Sequence, residues 1–131
     1  MTSRSLETAE RKLVVAYNAA RAQYVDAYPE RDVIVTCTYR SPEEQQALYA
    51  QGRSKPGQIV TMIDGVSQLS NHNHYPSRAL DFAVLISGKL SWDPDVYRPM
   101  GKYAVSQGLV WGGNWKTFKD YPHIELPKET V

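Results

Sequence analysis

The chain has 131 residues, 42% of them hydrophobic and 22% charged, which suits one soluble globular domain with its own core. Its formal net charge of +1 lacks the basic excess of a nucleic-acid binder, so no nucleic-acid partner is expected. The single cysteine, Cys37, rules out an intramolecular disulfide, and neither a signal-peptide core nor an apolar run of ~18 residues is present, so synthesis in the cytoplasm without stable membrane association is expected.

Residues 5–28 read as a helix. Leu13, Val14, Tyr17, Ala20, Tyr24, Val25 and Tyr28 fall on one face at helical spacing, Ser5 or Thr8 can cap its start, and Pro29 follows its end. Residues 32–38, "DVIVTCT", are short and β-branched, which favours a strand with Cys37 as a small core residue. "SPEEQQALYAQG" opens with Ser41 as N-cap, Pro42 at the first helical position and Glu44 three residues after the cap, and Gly52 is placed to stop the helix.

Residues 53–77 have no sustained period and read as a loop of about 25 residues, a length usually tied to function. "ALDFAVLIS" reads as a strand, and "SGK" as a hairpin turn into "LSW". Asp93 caps a further helix with Pro94 at its first position, and Pro99 is placed to kink it or delay its start. "LVWGG" and "PHIEL" complete the strands. Hairpin-type strands beside separate helices imply an α+β fold with a small antiparallel sheet and flanking helices. No internal repeat or linker interrupts residues 1–131, so a single domain is expected.

Metal chemistry is the first candidate for function. The three histidines are His72, His74 and His123. A catalytic zinc takes three protein ligands and keeps one position open. Two histidines and a carboxylate can be drawn from His123 with one of the pair at 72 and 74, or from that pair alone. Asp81 is the nearest carboxylate, and it lies inside the apolar run "ALDFAVL". A buried carboxylate is costly unless it is paired or holds a metal, so a plain ion pair with Arg78 or Arg40 is the alternative. Around His123, in "DYPHIEL", Asp120 lies three residues before and Glu125 two after. Glu125 shares the face of His123 on a strand, and Asp120 can turn in from the preceding loop. Either can serve as the base that a zinc hydrolase needs.

These stretches resemble the zinc LD- and DD-peptidase family. "SNHNHYPSRALDF" is similar to its signature Ser-x-His-x-x-Gly-x-Ala-x-Asp-Phe, which carries two ligands. "WGGNWKTFKDYPHIEL" is similar to the C-terminal signature Trp-Gly-Gly, then Trp, Phe and Asp-x-x-His. "YRSPEEQQALYAQGRSKPGQIVT" resembles the stretch that precedes them in phage endolysins cleaving the L-alanyl–D-glutamate bond of peptidoglycan. The three occur in the family's order over residues 39–126.

The resemblance implies a zinc site on the sheet, as in hedgehog and DD-peptidase folds. It implies His74, Asp81 and His123 as ligands, His74 because the family's first ligand lies seven positions before its aspartate. Asp120 is implied as the catalytic base and Arg40 as the cation beside the scissile carbonyl oxygen. His72 stands where that alignment has serine, as an alternative ligand or a neighbour of one, and Ser77 stands where it has glycine. The implied protein is a monomeric endolysin acting on peptidoglycan stem peptides after another protein has permeabilised the membrane. Its rivals are a D-alanyl-D-alanine carboxypeptidase on the same scaffold and a non-catalytic wall-binding module with a structural zinc.

Overall fold

A computed structural model describes residues 2–61, 63–65 and 69–128. Three helices, α1 (Arg11–Ala27), α2 (Pro42–Ala50) and α3 (Pro94–Ser106), accompany five strands. These are β1 (Arg31–Cys37), β2 (Ala79–Ile86), β3 (Lys89–Ser91), β4 (Val110–Trp111) and β5 (His123–Glu125). All strand pairs are antiparallel, in the order β1-β2-β5-β4, with β3 joined to β2. This is the expected α+β arrangement.

Strand β2 organises the sheet. Its first half pairs with β5 through Ala79↔Glu125 and Asp81↔His123, and its second half pairs with β3. Strand β1 runs along the other side, with an irregularity between Val35 and Cys37. Side chains alternate across a strand. Leu80, Phe82 and Val84 therefore enter the core with Ile124 and the buried faces of α1 and α3, and Asp81 turns to the other face with His123.

The first helix is shorter than its periodicity predicts. Residues Leu6–Thr8 form a 3-10 turn capped by Ser5, Ala9 is extended, and α1 begins at Arg11. The cause is tertiary. The backbone at 8–10 pairs with Ser77, which donates to Thr8 and accepts from Glu10 at 2.8 Å each. Those bonds replace the first helical turn. At α2 the Ser41 side chain accepts the Glu44 amide, as the capping pattern predicts. Helix α3 starts at Pro94 behind Asp93 and continues through Pro99. The carbonyl left unpaired by Pro99 belongs to exposed Asp95, where water can satisfy it.

The hairpin turn forms at Ser87 and Gly88, both at positive φ. The segment 53–77 is a loop in its described residues, ending in a 3-10 turn over Asn71–Asn73; residues 62 and 66–68 lie outside the described residues. Gln45, buried on α2, anchors this loop by donating to the Thr61 hydroxyl and the Ile63 carbonyl.

Candidate metal centre

Strand register places Asp81 and His123 side by side on one face of the sheet. The 3-10 turn over Asn71–Asn73 lays a second imidazole against the same carboxylate, and that ring belongs to His72. Asp81 Oδ1 is 3.1 Å from His72 Nε2 and 3.0 Å from His123 Nδ1. The two rings meet edge to face at 5.1 Å.

His74, the expected first ligand, is exposed at the end of that turn and lies outside the cluster. The structure thus places His72, and not His74, beside Asp81 and His123. The count of seven back from Asp81 assumes the family's loop length, but the segment from His72 to Asp81 is two residues longer. From its other end the signature's Ser-x-His is intact as Ser70-Asn71-His72, and that was the signal to follow. Ser70 caps the turn by accepting the His72 amide, and its own amide donates to Asn73 Oδ1. The added length is taken up by exposed His74, Tyr75 and Pro76. Ser77 then returns the chain to β1, its hydroxyl lying 2.9 Å from the Thr38 carbonyl and 2.6 Å from that of Ala79.

The outer nitrogens of both rings are committed. His72 Nδ1 donates to the Thr38 carbonyl at 2.6 Å, and His123 Nε2 donates to Glu125 Oε1 at 2.6 Å. Neither acceptor carries a proton, so each outer nitrogen holds the ring hydrogen. In neutral imidazoles the inner nitrogens are then lone pairs, and both face a carboxylate oxygen about 3 Å away. Acceptors meet at such distances only around a shared cation or around two added protons, and Asp81 is shared by two groups placed to hold a cation, Cys37–His72–Asp81 and Asp81–Asp120–His123. The donor set of two imidazole nitrogens and one carboxylate fits zinc, and both outer bonds are of the kind that orient metal-ligating histidines.

Without a metal the protons take that place. Burial alone would push the His72 imidazole down, but the Asp81 carboxylate reverses this and raises it to about 10. His123 is likewise opposed by burial and raised to about 9 by its bonds to Asp81 and Glu125. Burial would raise the Asp81 carboxyl, yet the two imidazoles hold it well below the usual carboxylate range.

Asp120 Oδ2 lies 3.9 Å from His123 Nδ1. Its side chain is 46% exposed, against 3% for His72 and 6% for His123, so it marks the side of the site that meets solvent. Burial first, and then the Asp81 charge, raise its carboxyl above the ordinary range. Its backbone is held by Gly112, whose carbonyl accepts the Asp120 amide at 3.1 Å. A Cβ at Gly112 would lie 2.3 Å from the Asp120 carbonyl oxygen, so only glycine allows this approach. Trp115 walls the site, its ring 5.0 Å from that of His123, whereas Trp111 is core.

Arg40 borders the other carboxylate oxygen, with Nη2 3.7 Å from Asp81 Oδ2 and 3.6 Å from Cys37 Sγ. Its Nη1 donates to Gln45 Oε1, so the residue that anchors the long loop also holds this guanidinium. Buried Cys37 sits 3.7 Å from the outer nitrogen of His72. Arg53 packs over Tyr49 and donates to its carbonyl, and Lys55 is exposed. Sequence reasoning missed the Thr38 carbonyl and Asn71, because a backbone acceptor and a loop amide carry no pattern of their own.

Residues 64–126 match the family model described as D-alanyl-D-alanine carboxypeptidase. The chain is 37% identical over 123 residues to the peptidoglycan L-alanyl-D-glutamate endopeptidase CwlK of Bacillus subtilis, covering 86% of this chain and 71% of the relative. It is 31% identical over 82 residues to the L-alanyl-D-glutamate peptidase of Listeria phage A118, covering 60% of this chain but 29% of that protein. The L-Ala D-Glu endopeptidase ChiX of Serratia marcescens has the same fold, with a TM-score of 0.71 at 24% identity, over 97% of this chain and 89% of that one.

Two outcomes follow from the geometry. His72→Ala abolishes stoichiometric zinc binding and His74→Ala leaves it intact, as metal analysis of the purified variants will show. In the metal-free protein, both imidazole pKa values are raised above the ordinary histidine value of 6.5, to about 10 and about 9. Their stabilisation is therefore complete below about pH 6.5 and is lost as pH rises through 9 to 10. Asp81, being lowered, contributes above the ordinary carboxylate value of 3.8 and loses that contribution as pH falls. Melting temperature in chelator should therefore be highest between these limits and decline toward pH 10, while zinc removes the alkaline decline.

Proposed function

Because the chain belongs to the D-alanyl-D-alanine carboxypeptidase family of peptidases, we propose that it is a zinc-dependent peptidoglycan hydrolase cleaving the L-alanyl–D-glutamate bond of stem peptides. The observation that carries this reading is the convergence of His72, Asp81 and His123 beside a half-exposed Asp120. His72 Nε2, Asp81 Oδ1 and His123 Nδ1 would hold the ion. When bound, zinc supplies a Lewis acid that polarises the scissile carbonyl and makes a water nucleophilic near neutral pH.

Asp120 is the general base. It lies on the open side, with Oδ2 3.9 Å from His123 Nδ1, where its carboxylate can meet water and substrate. It takes the proton of the attacking water and returns it to the leaving amine of D-glutamate. Arg40 is held by Gln45 and Asp81 at the rim, where a fixed cation stabilises the charge developing on the carbonyl oxygen more than the neutral ground state.

A structural zinc needs a fourth protein ligand. Glu125 bonds the far side of the His123 ring, Cys37 lies at the outer nitrogen of His72 although it is grouped with His72 and Asp81, and Asp120, the carboxylate beside His123 Nδ1, is 46% exposed to solvent. That favours an open, catalytic site over a closed one. The activity acts on peptidoglycan, which the name of the Bacillus subtilis relative states for that protein. No described helix is long and apolar enough to cross a membrane. We further propose an endolysin that is made in the host cytoplasm, reaches the wall through a membrane lesion and works as a monomer.

Digestion of purified peptidoglycan tests the bond. New N-terminal D-glutamyl amines are expected, and release of free D-alanine without them would establish the carboxypeptidase reading instead. Asp120→Ala is expected to keep its zinc and lose activity by ~100-fold or more. Undiminished hydrolysis by that variant removes Asp120 from the mechanism.

A further inference from the structure

We propose that Glu125 is a positioning residue whose carboxylate bridges His123 and Asn71, and that this bridge sets how tightly the site holds its metal. The inference rests on the metal reading above. It assigns Glu125 a different part from the base that its place in the sequence allows.

Glu125 shares the face of His123 on β5, and both of its oxygens are occupied. Oε1 takes the His123 Nε2 proton at 2.6 Å, and Oε2 takes the Asn71 side-chain amide at 2.6 Å. The imidazole ring stands between Glu125 and the Asp81 oxygen, which is on the Nδ1 side. A carboxylate there cannot reach the ion held by Nδ1. It fixes which nitrogen carries the hydrogen, stops ring rotation and makes Nδ1 a better donor.

Asn71 extends the reach of this contact. It directly precedes His72 in the 3-10 turn, and its backbone carbonyl accepts the Arg78 amide where the loop returns to β2. Its side chain crosses to β5, 54 positions along the chain. The two ligand-bearing segments, one a loop and one a strand, are thus tied by a charge-assisted hydrogen bond on the side away from the metal. The protein holds His123 directly through Glu125 and steadies His72 indirectly through Asn71.

The test is zinc affinity of the full chain, measured by competition with a chromophoric chelator, with unfolding curves to confirm folding. Glu125→Ala is expected to weaken zinc binding by about 10–100-fold. Glu125→Gln keeps an acceptor for Nε2–H and recovers most of that loss, which a ligand or base substitution would not. Asn71→Ala weakens binding severalfold although Asn71 touches neither imidazole, and it costs nothing further in the Glu125→Ala background. Unchanged affinity in Glu125→Ala, no recovery in Glu125→Gln, or additive losses in the double variant would each overturn the bridge. A wild-type chain that binds no zinc overturns the reading of the site itself, a result separable from failure of the bridge alone.

Discussion

The carboxylate of Asp81 is the constraint around which the site face of the molecule is built. It lies in the central strand, between Leu80 and Phe82, both fully buried. A charge in that position costs several kcal/mol unless it is compensated by well-placed partners. Compensation comes from three parts of the chain: His72 from the loop, His123 from the neighbouring strand and Arg40 from the end of β1. Their convergence on one group holds the loop and the sheet in one arrangement. The same strand sends Leu80, Phe82 and Val84 into the core. Placement of the site and stability of the fold are therefore two faces of β2.

Irregular backbone does much of the positioning. The Thr38 carbonyl accepts the His72 ring proton and also the Ser77 hydroxyl, so one acceptor just past β1 fixes both ends of the turn that carries His72. Thr38 itself is held by the N-terminal segment: its amide donates to the Ser3 carbonyl at 2.7 Å, and its hydroxyl lies 2.7 Å from that of Thr8. Residues 3–10 give up a helical turn to make these contacts. The structure thus uses its first residues to brace the site and not to lengthen α1.

Periodicity and turn chemistry made most elements legible. The caps at Ser41 and Asp93, the hairpin at Ser87–Gly88 and the strands around Asp81 and His123 follow from local sequence. Two features did not follow. The start of α1 is decided by pairing with Ser77, a contact between segments far apart in the chain. The choice between His72 and His74 depends on loop length, which a fixed spacing cannot register when two residues are added. Strand residues keep their parity, so Asp81 and His123 were readable; a loop residue has no parity, and the Ser70 cap was the local mark of the buried histidine.

Exposure divides the site by role. The two imidazoles that would hold the ion are almost sealed, at 3% and 6% exposed, Asp81 is 20% exposed and Asp120 46%. Sealed ligands benefit from low local dielectric and fixed outer hydrogen bonds, which keep their geometry through a reaction. A base must instead meet water and substrate, and the position of Asp120 at the rim leaves it open to both. Gly112 reconciles these demands. By letting the Asp120 backbone approach closer than any side chain permits, it brings an exposed base within 3.9 Å of a buried ligand. The Gly pair after β4 is thus a mechanical requirement of the site as much as a turn.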